Sequence, residues 1–328
     1  MMVYRPTTDS EWGFLGIIMA QAMSGAALEI VVLWKYLGWV SPIVYQVPRS
    51  YSIIVNCGLA MFGLTYQAFL AFDALHVKNN VQVYSICICN VLLFVFNVMR
   101  YGQTEIVISG LRESRAQGTE PLVDLSVDFW KVVFPVLITS SVLVGACCVG
   151  LFAFAYKLHK EFAWAIYRHV SGSRQTRRRF LTYKVLIVLI KIEIYFFLAF
   201  VALYGVVRVH FTVPEFPLLV CLVPLELLQV ALAIYFTKTE NVLGAIVAIV
   251  LRLAEIAYLI SRIIVVRSES IQKGLELGNE MLLFAGAALA FTSFICINSM
   301  VCISNFGYGL KPLLFKSSQD YLIDRKQI

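Results

Sequence analysis

Eight apolar runs of about 20 residues each constrain the fold of this chain more than any other feature. A run of that length can cross the hydrocarbon core of a bilayer as an α-helix. Because the core holds no water to satisfy backbone N–H and C=O groups, only helices or closed barrels span it. The sequence predicts an all-α polytopic membrane protein with about eight transmembrane helices, at roughly 12–34, 52–71, 81–99, 132–154, 186–206, 217–235, 243–265 and 282–303.

The composition excludes an ordinary soluble protein. Of the 328 residues, 60% are hydrophobic and 14% are charged, and the mean hydropathy is +0.79. Soluble domains are about 25% charged. The eight cysteines all fall inside apolar runs, where we expect neither a disulfide framework nor a zinc site. We therefore expect a single helical membrane domain over residues 1–328.

A basic segment, Lys157–Lys184, joins spans four and five and holds eight Lys and Arg residues against one acid, Glu161. Short basic segments beside membrane spans stay in the cytosol, so this connection is predicted to be a basic cytosolic loop. Apolar residues at helical spacing in its first half indicate a helix that continues past the bilayer or lies on its surface. Eight spans then place both termini in the cytosol, together with the polar tail 304–328. On this topology 15 Lys and Arg residues lie on the cytosolic side and nine, including Arg100, on the other.

Three consecutive arginines in the basic segment, Arg177, Arg178 and Arg179, are predicted to face anionic lipid headgroups. A nucleic-acid patch is the alternative for such a run. Because membrane spans flank the arginines on both sides, we expect the lipid bilayer as the partner and no nucleic acid.

Seven ionisable residues fall within the predicted spans, six of them in the second half of the chain. A charged side chain at the centre of a bilayer costs about 2.5–3.5 kcal/mol, so these groups are predicted to turn inward and pair. They form a candidate intramembrane charge cluster: Glu29, Lys191, Glu193, Glu226, Arg252, Glu255 and Arg262.

The spacing of these charges suggests particular pairs. Arg252 and Glu255 are three residues apart on one helix and can pair directly. Arg262 lies seven residues beyond Glu255 on roughly the same face. Lys191 and Glu193 point to opposite sides of their helix, so each needs a partner on another helix.

Two interpretations of the buried charges compete. In the first they are interhelical bridges that fix the packing of spans five to seven. In the second Glu226, close to Pro224, is a proton or cation site, as in transporters with broken helices. The near balance of four acids and three bases favours the structural interpretation.

Motifs of enzymes are absent from the sequence. The four histidines are scattered, without the HExxH spacing of a metal enzyme, and no phosphate-binding glycine loop or GxSxG elbow is present. We therefore expect neither catalysis nor a cofactor.

Several short segments carry a family resemblance, most of it from the basic segment onward. They are Phe162–Tyr167, Tyr183, Lys191–Phe197 and Asn305–Lys311, with weaker matches at Gln21, Glu29 and Asn80–Gln82. Through them the chain resembles an uncharacterised fungal family of multi-pass Golgi apparatus membrane proteins. That family has Asp at the position of Glu193, which keeps the acid but lengthens its reach. The resemblance implies a Golgi location and a multi-pass topology, and it implies no activity.

The leading functional hypothesis is a non-enzymatic scaffold or partner-binding protein in membrane organisation or trafficking, with other membrane proteins as partners. The alternative is a small-solute or ion transporter, coupled to protons, that uses Glu226 and the Arg252/Glu255 pair. A seven-span receptor is disfavoured by the even number of spans. A water-filled cavity at Glu226 would favour transport, and a dry, paired cluster would favour the scaffold.

Overall fold

Long helices make up almost all of the computed structural model, which describes residues 6–41, 50–113, 123–169, 174–209, 215–273 and 278–307, without the side chains of 163–169, 174–177 and 269–273. Seven of the eight predicted spans lie within one α-helix, the fifth continues for three residues past the end of its helix into a π-helical turn, and most helices run beyond the predicted bounds. In the described residues they are α1 (Asp9–Trp39), α2 (Tyr51–His76), α3 (Asn80–Glu113), α4 (Phe129–His169), α5 (Arg174–Leu203), α6 (Glu215–Thr239), α7 (Val242–Lys273) and α8 (Gly278–Ile303).

All eight helices are long and apolar enough to cross a membrane, over the part of the chain that the structure describes. The predicted fold class, an all-α protein with eight membrane-spanning helices, is confirmed. A six-residue π-helical segment, Tyr204–Val209, continues α5. Single π-helical turns occur mostly inside α-helices and are frequent at functional sites.

Polar contacts define the two ends of the bundle. At the end where α1 begins, here called the proximal end, Thr8 and Ser10 donate hydrogen bonds to Glu161 at 2.9 and 2.7 Å. At the opposite, distal end, the indole of Trp39 donates to the backbone oxygen of Asp124 at 2.9 Å and stacks on Phe129. The helices alternate in direction between these two ends.

This alternation places the start of α1, the basic segment and the end of α8 at the proximal end. The common side of these three parts follows from the even number of helices. That the proximal end faces the cytosol stays a prediction. The predicted loop 157–184 is helical up to His169 and again from Arg174, while residues 170–173 and the tail from 308 onward lie outside the described residues.

Local sequence signals explain where helices start and turn. Thr8 caps α1 by accepting a hydrogen bond from the backbone N–H of Glu11, whose carboxylate in turn accepts one from the backbone N–H of Thr7. The reciprocal use of Thr and Glu satisfies N–H groups that the first helical turn leaves free. Lys78 adopts a φ of 49° between α2 and α3, and Glu240 a φ of 55° between α6 and α7. These two tight turns keep both helix pairs adjacent.

Helix α5 lies at the centre of the bundle and packs against α2, α3, α6 and α8. In its apolar window 61% of the residues are buried, against 22% for α6, so α6 lies at the periphery. The charges of α5 therefore face protein on several sides, whereas those of α6 have to point inward along a single face.

A close approach between α1 and α4 gives a test of this packing. A Cβ atom added at Gly13 would lie 2.1–2.8 Å from three ring atoms of Phe154, whereas one at Gly16 meets nothing within 4 Å. Replacing Gly13 with Ala should lower the free energy of unfolding by about 1–3 kcal/mol through overpacking. The matched change Gly16→Ala should be neutral or stabilising by up to about 1 kcal/mol, because Ala favours the helix. Unfolding of both purified variants in mixed micelles measures the difference, and equal effects would contradict this helix contact.

Candidate functional site

A charged cluster around Arg252 lies in the middle of the bundle. Glu193 on α5, Glu226 on α6, and Arg252 and Glu255 on α7 are each at least ten residues from both ends of their helices. At 1.5 Å per residue each lies at least about 15 Å from either helix end, and half of a bilayer's hydrocarbon core is also about 15 Å. Three helices therefore bring four ionisable groups together in the buried middle of the bundle.

One guanidinium nitrogen is shared by three carboxylates. Nη1 of Arg252 lies 3.1 Å from Oε2 of Glu193, 2.9 Å from Oε1 of Glu226 and 2.8 Å from Oε2 of Glu255. The side chains are between 0% and 7% exposed. The predicted contact between Arg252 and Glu255 is present, and Glu193 and Glu226 join the same nitrogen.

Glu255 has the best hydrogen bonding of the three acids. Besides the bond from Arg252, its Oε2 accepts one from Gln229 Nε2 at 2.8 Å. Its Oε1 accepts one from the hydroxyl of Thr292 on α8 at 3.2 Å. Both carboxylate oxygens of Glu255 therefore accept hydrogen bonds, from three donors in all.

Glu193 and Glu226 are less well satisfied. Nη1 of Arg252 has two hydrogens, and they are directed to Glu193 and Glu255. Oε1 of Glu226 lies near the same nitrogen without receiving a hydrogen bond, and Oε1 of Glu193 has no partner either. A buried carboxylate without donors is costly, whereas a protonated carboxyl group supplies a donor of its own.

The cluster has more acid than base. Three ionised carboxylates around one guanidinium would leave a charge of −2 in a buried site. Oxygens of the three acids lie within 4.8 Å of one another. At that separation two like charges repel by about 3 kcal/mol even with an effective dielectric constant of 20. We conclude that the cluster is stable only when it binds positive charge beyond Arg252.

A metal ion is one form that this charge could take. Three carboxylates within 4.8 Å match the spacing of a cation site. However, Nη1 of Arg252 already lies within 3.1 Å of an oxygen of each acid and occupies their centre. A proton needs no such space, so the geometry favours protons over a metal ion.

The other predicted basic residues pair elsewhere. Lys191 lies 2.5 Å from Oδ2 of Asp73 on α2. Arg262 donates to the hydroxyl of Tyr204 at 3.3 Å and lies over the ring of Tyr258. The expectation that Arg262 shares the charge of Glu255 is therefore wrong, because its side chain turns toward the π-helical segment at the distal end.

Glu29 forms a second buried pair, with Arg100 on α3, at 2.7 Å. Nη2 of the same arginine donates to the sulfur of Cys57 on α2. The sequence predicts that the third span ends before Arg100, whereas α3 continues to Glu113 and the arginine is 1% exposed.

Sequence reasoning missed Asp73, Arg100 and Glu280 because each lies one or two residues outside a predicted span. A signal for Arg100 was nevertheless present. Thr104, Val107 and Leu111 repeat at helical spacing beyond it, which indicates that the same buried face continues. No comparable signal marks Asp73 or Glu280.

The predicted lipid-facing arginines lie in the first turns of α5. Arg178 is exposed and Arg179 partly exposed, while the side chain of Arg177 lies outside the described residues. Binding of anionic headgroups to these residues stays a prediction.

The Arg252 cluster is buried. A cavity of about 580 Å³ lies between α3, α5 and α8, but its lining is apolar and includes Ile88, Leu189, Gly286 and Phe294 rather than any member of the cluster. A buried, paired cluster suits the scaffold. The surplus of acid favours an ion site.

Comparison with known proteins adds a location. The chain is similar to the UPF0658 Golgi apparatus membrane protein of Schizosaccharomyces pombe, at 24% identity over 274 residues, or 79% of this chain and 78% of that protein. The predicted Golgi location is confirmed. So is the resemblance to uncharacterised fungal multi-pass Golgi proteins. No family model and no solved structure matches the chain, so the geometry of the charges is the evidence from which an activity can be argued.

Proposed function

We propose that this multi-pass Golgi protein is a proton-coupled carrier of small solutes or ions, with the Arg252 cluster as its coupling site. The proposal depends on one observation, the sharing of Nη1 of Arg252 by three carboxylates from α5, α6 and α7. Neutrality of this cluster requires two protons in addition to the guanidinium. A site that holds protons at the bilayer centre is suited to moving them across.

A purely structural role does not explain the extra acids. The described pair Asp73–Lys191, by contrast, matches one acid with one base. A bridge between α5 and α7 would need only Glu193 and Arg252. Replacing buried charges with apolar residues is often neutral or stabilising, so surplus buried carboxylates point to a function other than stability.

Two irregular backbone elements lie near the cluster. Pro224 lies inside α6, two residues before Glu226. Because proline lacks an N–H group, the carbonyl oxygen of Val220 loses its helical hydrogen bond. The π-helical segment follows α5 about ten residues after Glu193. Such breaks let helices bend, and discontinuous helices form the sites of many transporters. Both elements support a site that opens alternately to each side.

A scaffold is the second candidate, because the cluster is buried and ties α5, α6, α7 and α8 together. As a scaffold, the protein would be non-enzymatic and would act by binding other membrane proteins, and its basic segment would bind anionic lipids. The surplus of acid would then be neutralised permanently and would never exchange with either side.

The carrier hypothesis predicts a specific effect of Glu226→Gln. Gln has the size of a protonated Glu but cannot release a proton, so the variant should fold and lose coupling. In cells that make only this variant, recovery of Golgi lumenal pH after an imposed acid load should slow to the rate of cells without the protein. A lumenal pH-sensitive fluorescent reporter measures the recovery, and immunoblotting checks that the abundance is unchanged.

Glu215→Gln is the matched control, since Glu215 is an exposed acid in the first turn of the same helix. This variant should recover at the wild-type rate. Equal recovery with and without the wild-type protein would contradict the carrier and favour the scaffold.

A further inference from the structure

A second buried acid, Glu280, lies in the first turn of α8 near the distal end of the bundle. It is 0% exposed, and neither of its carboxylate oxygens has a hydrogen bond of good geometry. Asn56 on α2 and Arg100 on α3 are polar and charged groups that act on this carboxyl group. An ionised carboxylate accepts several hydrogen bonds, so its surroundings suit the protonated form.

The charges around Glu280 repeat the imbalance of the Arg252 cluster. Arg100 directs Nη1 to Glu29 and Nη2 to Cys57, and neither nitrogen is bonded to Glu280. Oε2 of Glu29 and Oδ1 of Asn56 also lack partners. Two acids thus face one base, and one further positive charge would make the group neutral.

One face of α8 connects this group to the cluster at the bilayer centre. Glu280, Phe284, Ala288 and Thr292 follow one another at intervals of four residues, and each is at most 2% exposed. Thr292 donates a hydrogen bond to Glu255 of the Arg252 cluster. Along the helix Glu280 and Thr292 are about 18 Å apart.

An aromatic block separates the two acid groups. The ring of Phe284 lies 5.1 Å from that of Phe96 and 6.3 Å from that of Phe196. Packed rings exclude water, and protons do not cross an apolar gap of this size without it. In this conformation each acid group therefore holds its protons independently of the other.

We infer that Glu280 is a second proton-binding site of this chain, which exchanges its proton with the Arg252 cluster when the Phe284 block moves. In the exchange the O–H bond of Glu280 breaks, and a new O–H bond forms on an ionised carboxylate of the cluster through intervening water. The carboxylate left at Glu280 is then stabilised by Arg100. The proton-binding site stands by itself, whereas its exchange with the cluster rests on the proposed carrier function.

Infrared spectroscopy of the full chain in phosphatidylcholine liposomes tests the site. Protonated carboxyl groups have a C=O band distinct from that of carboxylates, and the band shifts in D₂O. At pH 7, Glu280→Gln should lose the contribution of one protonated carboxyl group relative to wild type. Glu105→Gln, which removes an exposed acid of α3, should leave the band unchanged.

Two results would overturn the site. One is a spectrum of Glu280→Gln with the same carboxyl band as Glu105→Gln. The other is loss of the wild-type band when sodium replaces choline at constant pH, which would make this a cation site instead. Loss of the band in Glu280→Gln, combined with normal Golgi pH recovery in Glu226→Gln, would support the site and contradict the carrier.

The exchange is tested separately with Phe284→Ala. Removing the ring should admit water between the two acid groups and raise the passive proton conductance of the liposomes several-fold. The double variant Phe284→Ala/Glu280→Gln should return to the wild-type conductance. Equal conductance in wild type and Phe284→Ala, with both folded by circular dichroism, would overturn the exchange along α8.

Discussion

Replacing Arg252 with Gln should lower the free energy of unfolding by about 4 kcal/mol at pH 7. Without the guanidinium, the ionised carboxylate of the cluster has to bind a proton in the folded state. Protonating an ordinary Glu at pH 7 costs about 1.4 kcal/mol for each of the roughly 2.7 units between that pH and its usual pKa. Equilibrium unfolding in mixed micelles, monitored by circular dichroism, measures the loss.

The sign of the pH dependence follows from the same proton. The folded variant binds one proton more than folded wild type, and the unfolded chains release it at neutral pH. The stability difference between Arg252→Gln and wild type should therefore widen by about 1.4 kcal/mol per pH unit from pH 5 to pH 7.

The companion variant Glu226→Gln should keep the stability of wild type or raise it, because the folded cluster then needs one proton fewer. Glu255 and Glu193 still hold Arg252 in this variant. A Glu226→Gln variant as unstable as Arg252→Gln would contradict the protonated state of Glu226.

A second large effect is expected at Arg100. The residue is buried with Glu29 at 2.7 Å, so Arg100→Met leaves an acid without its base. Removing one partner of a buried pair typically costs about 3–5 kcal/mol. Adding Glu29→Gln to Arg100→Met should recover most of this loss, which the four-variant thermodynamic cycle measures as a coupling energy.

An exposed pair provides the control for this cycle. Lys131 lies 3.3 Å from Asp128, and their side chains are 82% and 39% exposed. Lys131→Met should change the stability by less than about 1 kcal/mol. A coupling energy between Glu29 and Arg100 as small as that of the exposed pair would show that their contact is absent in the bilayer.

The sequence predicted the helices well because hydropathy over about 20 residues is a strong signal. It predicted the limits of the buried region poorly. A hydropathy profile ends a span where a charge appears, so Asp73, Arg100 and Glu280 were each excluded by one or two residues. Helix α3 shows the physical reason, since Arg100 is buried by its pairing with Glu29 and the helix continues to Glu113.

The candidate site was predictable in part. That Arg252 contacts Glu255 follows from their spacing on one helix. Contacts between helices depend on rotation and neighbours that a single sequence does not specify. Thus the count of four acids and three bases suggested balance, whereas Lys191 and Arg262 turn away to Asp73 and Tyr204.

The protons held by the Arg252 cluster are the central claim, and counting the protons released on unfolding tests it most directly. Purified protein in weakly buffered detergent at pH 7 is unfolded with sodium dodecyl sulfate, and a pH-sensitive dye reports the protons set free. The cluster of Glu226→Gln holds one proton instead of two, so this variant should release one proton fewer per chain than wild type. The control variant Glu215→Gln should release the same number of protons as wild type. Equal release from wild type and Glu226→Gln would contradict the claim.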